Sequence, residues 1–445
     1  MKASYLWILL MLLAGALNCR QATAFQIFKK AEYLRPMPDS VRLKPGGKGM
    51  PSGVFRNHIG LNEGKKWSKA TISECARIGI KILRKDLEWD QVERQKAVYD
   101  WAEIDEYLSE CKLAGIKVIL ILGKVNKLYD STATIPIPGN FLWEAYSNYV
   151  KASLRRYKKS DVMWELCTEP DIPHMYADMT PVQFIRNALG VMELIRSIDP
   201  EATIAGPGSG FPLTWENESW NRKVWENLLR QNKTNLFIKN LNVWTGHFYI
   251  NKAPDNVYTE GVESYDLQRM LLNHFNAHHI PYATGERGFT ANPKESQAYA
   301  FSGNEYLRIS YYLRQCLWGM YKEPHGFVIN YVTTDIYNSG KDILYNPAGE
   351  AIKLMLDNVG DFHLEARISF HDEGIVLLKF IKGDKEKFVA WDRFNRSLHL
   401  NLPIKSKRTE ITNYQGKVTR INKDADYLES IEIGSMPIFI HPNSD

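Results

Sequence analysis

Two glutamates 117 positions apart (169 to 286) each close a short apolar run. The first stands in Asp161-Val-Met-Trp-Glu-Leu-Cys-Thr-Glu169-Pro-Asp171, the second in Pro281-Tyr-Ala-Thr-Gly-Glu286-Arg-Gly-Phe289. A strand that ends in a carboxylate and is stopped by Pro or Gly sets the acid at the rim of a sheet. Two such acids facing each other across a cleft can protonate a leaving oxygen and attack an acetal carbon, which is the chemistry of glycosidic bond cleavage. Each has a plainer reading as well: a loop carboxylate or helix cap for Glu169, and an ion pair with Arg287 for Glu286. Period-two alternation puts Glu165, Cys167 and Glu169 on one face, so Glu165 is expected deeper, with Arg84 as its partner.

Strand-like runs fall at His58–Leu61, Ile80–Leu83, Lys117–Leu122, Val162–Leu166, Thr203–Ala205, Asn242–Trp244, Tyr282–Thr284 and Phe327–Tyr331. Amphipathic stretches alternate with them: Thr71–Ile78, Trp101–Ala114, Phe141–Tyr157, Pro181–Ile198, Trp220–Arg230, Val262–His278, Tyr299–Met320 and Ala348–Asn358. Eight strands alternating with eight helices over about 300 residues is the rhythm of a (β/α)8 TIM barrel, an α/β fold. An open doubly wound sheet would usually carry a glycine fingerprint, and Gly206-Pro-Gly-Ser-Gly-Phe211 lacks the third glycine in place. In the barrel the two glutamates end strands four and seven, three steps apart around the ring, so their carboxylates can converge over the mouth.

After Gly360 the pattern changes to short alternating runs: Ala366–Phe370, Ile375–Ile381, Phe388–Trp391, Leu398–Leu402, Thr409–Thr412, Lys417–Asn422 and Ser430–Ile440. These predict a small C-terminal antiparallel β-sandwich domain. The expected organisation is a leader at 1–24, an N-terminal segment at 25–54 that can join the sandwich, a catalytic barrel at 55–361 and the sandwich at 362–445.

Trp164-Glu-Leu-Cys-Thr-Glu169-Pro-Asp171 resembles the W-E-x-x-N-E-P segment of the clan A glycoside hydrolases, retaining enzymes on (β/α)8 barrels. Gly79-Ile-Lys-Ile-Leu-Arg84-Lys-Asp-Leu-Glu-Trp89, with Tyr99-Asp-Trp101 and Asp105, is similar to their second strand and helix, as in families 39 and 5. His247-Phe-Tyr249 resembles the strand-six His/Tyr pair, and Gly285-Glu286-Arg-Gly288 the nucleophile segment. The resemblance covers roughly residues 56 to 335. It implies Glu169 as acid/base, Glu286 as nucleophile, Arg84 as the cation that keeps the nucleophile ionised, and His247 or Tyr249 in contact with nucleophile or sugar. Where the clan has Asn to bind the sugar 2-hydroxyl, this chain has Thr168. A retaining pair implies a carboxyl separation of about 5–5.5 Å, against about 6.5–9.5 Å for inversion. No metal or cofactor is expected. A binding protein on a catalytically impaired scaffold, and a transglycosylase, remain alternatives.

The chain is 44% apolar and 12% aromatic with twelve Trp, a surplus that suits stacking on sugar rings as well as core packing. Trp89, Trp244 and Tyr331 near strand ends are candidates for such stacking, and His58 on the first strand for lining the site. Asp171, His325 and Asp335 have loop or capping roles as their plainer reading. The formal charge of +5 becomes about +3 without Lys2 and Arg20, too mild for a nucleic-acid partner. Lys2, the apolar stretch from Tyr5 to Leu17 and Ala22-Thr-Ala24 read as a secretory signal cleaved before Phe25. Lipid attachment at Cys19 is disfavoured by Asn18, no later run is long enough for a membrane span, and the location expected is extracellular or periplasmic. Cys75, Cys111, Cys167 and Cys316 show no C-x-x-C spacing; they allow three pairings or four buried thiols. Sequons stand at Asn217, Asn232 and Asn395. The substrate class read from all this is a β-linked glycan; the oligomeric state is not legible.

Overall fold

The computed structural model describes residues 33–34, 49–62, 67–172, 179–210, 219–247, 253–256, 264–289, 304–330, 347–425 and 427–443. The leader, Asn217, Tyr249, Tyr331 and Asp335 lie outside the described residues. After a short strand β1 (Tyr33–Leu34), eight parallel strands close a barrel in chain order. They are β2 (Ile59–Asn62), β3 (Ile82–Leu87), β4 (Lys117–Leu122), β5 (Val162–Glu165), β6 (Thr203–Ser209), β7 (Val243–His247), β8 (Tyr282–Arg287) and β9 (Val328–Asn330). β9 pairs back onto β2, with Gly60 opposite Ile329.

Four of the described helices begin where a side chain, from Ser68, Thr180, Ser219 or Asn304, accepts from a backbone N–H of the first turn. Helix α1 (Lys69–Ile78) opens with a reciprocal Ser68/Thr71 capping box, and α5 (Pro181–Ile198) opens with Thr180/Gln183 and Pro181 in its first turn. Between them lie α2 (Trp89–Val92), α3 (Ala102–Leu113) and α4 (Trp143–Tyr157). After them come α6 (Trp220–Arg230), α7 (Thr234–Asn240), α8 (Ser264–His274), α9 (Glu305–Lys322) and α10 (Pro347–Val359). The short helices α2 and α7 had no periodicity long enough to announce them.

Strand alternation divides the barrel side chains into two cores. The outward set packs against the helices. The inward set seals the lower barrel as an apolar plug of Met50, Ile82, Ile119, Met163, Ala205, Val243, Ala283, Phe327 and Ile329. Two residues further along three of these strands the interior turns polar: Arg84 follows Ile82, Glu165 follows Met163 and Thr245 follows Val243. The site therefore rests on a dry, packed floor.

The C-terminal strands form the expected antiparallel domain. A seven-stranded sheet runs in the order β1, β10 (His363–Ile368), β11 (Ile375–Lys382), β12 (Lys385–Asp392), β17 (Ile438–Asn443), β14 (Ser406–Thr412), β15 (Val418–Ala425). A second sheet pairs β13 (Leu398–Leu402) with β16 (Leu428–Ile433), and Leu377, Phe388, Leu402, Ile431 and Ile440 share the core between them. The single run read at Ser430–Ile440 is two strands, because the chain leaves the sheet at 434–437, where Pro437 has no N–H for a ladder. From the N-terminal segment, Tyr33 pairs with Ile368 in β10.

Barrel and sandwich meet at a buried polar junction. Arg314 of α9 donates from Nε to both Asp255 oxygens (3.1 and 3.0 Å) and from Nη1 to Asn395 Oδ1 (2.7 Å). Trp391 Nε1 of β12 donates to Asp255 Oδ2 at 2.6 Å. All four described cysteines are buried free thiols, which decides between the readings left open above.

Candidate active site

Arg84 is the centre of the polar layer. It is buried on the inward face of β3 and all its nitrogens donate: Nε to Glu165 Oε2 (2.6 Å), Nη1 to Asn62 Oδ1 (3.1 Å) and Glu286 Oε2 (2.9 Å), Nη2 to Thr168 Oγ1 (3.0 Å). One planar guanidinium on β3 thus fixes groups from β2, β5, β8 and the segment after β5, which a lysine ammonium could not do. Asn62, the last residue of β2, also donates to Glu286 Oε2 at 3.0 Å. Sequence reading missed Asn62; its one signal is the inward parity it shares with Gly60 on a four-residue strand.

Glu165 lies beneath. Its Oε1 accepts from Thr245 Oγ1 (2.9 Å), and that hydroxyl accepts from Gly208 N (3.0 Å). Gly208 has φ +66°, and a Cβ there would stand 2.7 Å from the Cys167 carbonyl oxygen and 2.9 Å from Glu165 Oε1. Only glycine fits this turn of β6.

Glu169 does not end its strand. β5 stops at Glu165, and the next four residues are stitched to β6 instead: Leu166 N donates to Ala205 O (3.0 Å) and Glu169 N to Gly208 O (2.7 Å). The buried Lys124 ammonium donates to the Leu166 carbonyl, and the Cys167 thiol, pushed up to about 12 by burial, points at Pro207 O. Glu169 itself takes φ +45°, an uncommon left-handed conformation for a non-glycine, which turns its carboxylate toward β7.

There it meets His247. Nδ1 of this fully buried imidazole lies 3.1 Å from Glu169 Oε1 and 4.0 Å from Glu286 Oε2. Burial pushes the ring's pKa down to about 4, Glu286 opposing and Arg84 reinforcing the effect, so His247 is neutral near pH 7. β8 can approach because Gly285 faces the ring: a Cβ there would stand 3.2 Å from Nε2.

One donor atom each from Glu169, His247 and Glu286 lie within 4.8 Å of one another. That spacing is also one a divalent cation could bridge. However, Glu286 Oε2 already accepts from the Arg84 cation and from Asn62, and a second cation beside Arg84 would be repelled. The trio therefore fits proton and covalent chemistry better than metal binding.

The remaining candidates fall elsewhere. Trp244 is fully buried on the outward face of β7, stacked on Trp225 at 5.0 Å, because its neighbours Val243 and Thr245 take the inward positions. Trp89 is fully buried among Tyr129, Tyr146 and Tyr149, with its indole N–H on Glu93 at 2.6 Å. Neither ring has a face for a sugar. His58 stands before β2, at the closed end of the barrel, with Nδ1 2.8 Å from Gly326 O. Thr168 faces Arg84. Asp171 accepts from Gly210 N at 2.7 Å, a loop-fastening contact.

No family model matches the chain, and no curated protein matches it in sequence. Solved structures do share its architecture. A family 39 glycoside hydrolase from the gut symbiont Bacteroides cellulosilyticus WH2 superposes with a TM-score of 0.67 at 16% identity, over 89% of this chain and 82% of that one. A family 39 β-xylosidase from Caulobacter crescentus gives 0.60 at 14% identity, over 88% and 98%. A family 30 endoxylanase from Clostridium papyrosolvens C71 gives 0.60 at 12%, over 89% and 99%. At these identities the likeness is one of fold: the chain is built on the barrel-and-sandwich plan of these glycoside hydrolase structures.

Proposed function

We propose that the protein is an exported glycoside hydrolase that cleaves β-glycosidic bonds with retention, through Glu286 as nucleophile and Glu169 as acid/base. The observation that carries this reading is the convergence of the two carboxylates, which approach each other to within 4.8 Å at one neutral imidazole. So close an approach supports the retaining reading, in which the carboxyl groups stand about 5–5.5 Å apart, over inversion at about 6.5–9.5 Å. Arg84 and Asn62 both donate to Glu286 Oε2, which favours the ionised nucleophile. Glu169 sits beside a second carboxylate, which favours its protonated form before attack.

In the first step a Glu286 oxygen bonds to the anomeric carbon as the bond to the leaving oxygen breaks, and the Glu169 proton goes to that oxygen. In the second, Glu169 takes a proton from water, the water oxygen bonds to the anomeric carbon and Glu286 leaves as carboxylate. The likeness to a β-xylosidase and an endoxylanase supports a β-linked glycan as the substrate class. The charged start, apolar stretch and Ala22-Thr-Ala24 support export. Sugar release from a panel of β-linked polysaccharides and aryl glycosides tests the reading. Turnover that disappears in Glu286→Ala is expected; a panel on which neither protein acts, with equal glycan binding, would replace it with a binding role.

A further inference from the structure

Glu165 is a third carboxylate in the site, one layer below the reacting pair, and Arg84 and Thr245 hold it. The Arg84 Nε–H points at Oε2. Thr245 Oγ1 accepts the Gly208 N–H and lies 2.9 Å from Glu165 Oε1. Oε2 accepts from the Arg84 cation at 2.6 Å while Oε1 faces the Thr245 hydroxyl, so the ion pair is the contact that holds Glu165 in place. Glu165 is a buried carboxylate, and it shares the one Arg84 charge with Glu286: Nε serves Glu165 at 2.6 Å and Nη1 serves Glu286 at 2.9 Å.

We propose that Glu165 is a positioning residue that sets, through Arg84, how firmly the Glu286 carboxylate holds a proton and how readily it attacks. The proposal rests on Glu286 being the nucleophile. A guanidinium spent on Glu286 alone would over-stabilise the carboxylate and blunt it as a nucleophile. By taking the Nε edge and a share of the charge, Glu165 leaves Glu286 ionised yet basic. The other groups facing this cluster are Asp86 on β3, Lys124 behind Glu165, the neutral His247 on β7 and Glu169. The Arg84 guanidinium donates to two carboxylates, Glu165 and Glu286, and the direct competition is between them.

Glu165→Gln is the discriminating change. Its amide oxygen can still accept from Arg84 Nε and its NH2 can face Thr245 Oγ1, while the charge is gone. The readout is the titration of the Glu286 carboxyl in protein labelled with 13C at the glutamate side-chain carboxyl, the resonance being identified by its loss in Glu286→Gln. In Glu165→Gln the Glu286 midpoint moves to lower pH by on the order of one unit. Glu165→Asp keeps the charge but draws it back from Arg84, and gives a smaller move in the same direction. If Glu165→Gln does not fold, the Glu165→Asp titration carries the test. A Glu286 midpoint unchanged from wild type in a folded variant would overturn the proposal. The titration uses no substrate, so it is answered whether or not the protein turns over a glycan. Where turnover is found, the acid limb of kcat/KM moves with the midpoint, a change that a merely structural role for Glu165 would not produce.

Discussion

Nδ1 of His247 lies 3.1 Å from Oε1 of Glu169, inside a ring that has no exposed surface. With His247 neutral, an Nδ1–H donated to Oε1 leaves Oε2 of Glu169 to carry the transferable proton. In the proposed mechanism the imidazole would thereby orient Glu169 in both steps without exchanging a proton itself.

His247 also predicts a pH dependence of stability. Its folded pKa, about 4, lies below the ordinary histidine value of 6.5 because burial disfavours the cation. The unfolded chain takes up a proton below about 6.5 that the folded protein does not, so stability is full above that pH and is lost as pH falls toward 4. His441, also pushed down to about 4 by burial, acts in the same direction. Melting temperature should fall between pH 7 and pH 4.5, and His247→Gln should lose part of that fall. An equal fall in the variant would show that His247 is not held neutral.

Glu169→Ala should lose about 10²–10⁴-fold in kcat on substrates with poor leaving groups, and much less on activated aryl glycosides. Azide, which needs no general base, should restore turnover and give a glycosyl azide of retained configuration. Loss of activity that azide does not relieve would argue against Glu169 as the acid/base.

Arg84→Lys should lower kcat by roughly 10²–10³-fold, because one ammonium cannot serve Glu165, Asn62, Glu286 and Thr168 together. The steady-state rate of the purified variant, with a melting curve to establish folding, measures this. A rate within a few-fold of wild type would show that a point charge suffices.

Asp255→Ala leaves Arg314 buried without its partner and removes the acceptor of the Trp391 indole N–H. Breaking a buried pair of this kind costs about 3–5 kcal/mol. Chemical denaturation of the purified variant should show that loss, and a midpoint unchanged from wild type would show that the pair does not hold the junction.

The catalytic reading was legible because its residues announce themselves twice, by chemistry and by position at the end of an apolar run. Arg84 and Glu165 obey strand parity, and the pair could be named from it. Glu286 does not, because Ala283 faces inward and Thr284 bonds Tyr265 on the helix side. The register shift that sets Glu286 opposite His247 is what turns it to the interior. Glu169 was legible as an acid beside Pro170, but not the four-residue extension past β5 that carries it. Thr245 gave no signal and Asn62 only the parity it shares with Gly60, because a polar residue at the edge of a short apolar run looks like the start of a loop. β6 and β7 run on to Ser209 and His247, past the Thr203–Ala205 and Asn242–Trp244 read from sequence. Gly206, Gly208 and Gly246 lower strand propensity where the backbone must turn around the site. The stacking roles given to Trp89 and Trp244 came from aromatic type and strand-end position; inward Val243 and Thr245 already required Trp244 to face the helices.

The most direct measurement is intact-protein mass spectrometry after incubation with a 2-deoxy-2-fluoro glycoside bearing an activated leaving group, of the sugar that the substrate panel identifies. A stoichiometric mass increase of one fluoroglycosyl unit, mapped to the peptide containing Glu286 and absent in Glu286→Gln, is the predicted result. Turnover of the parent glycoside with no adduct at Glu286, or release of product with inverted configuration, would contradict the assignment of Glu286 as nucleophile.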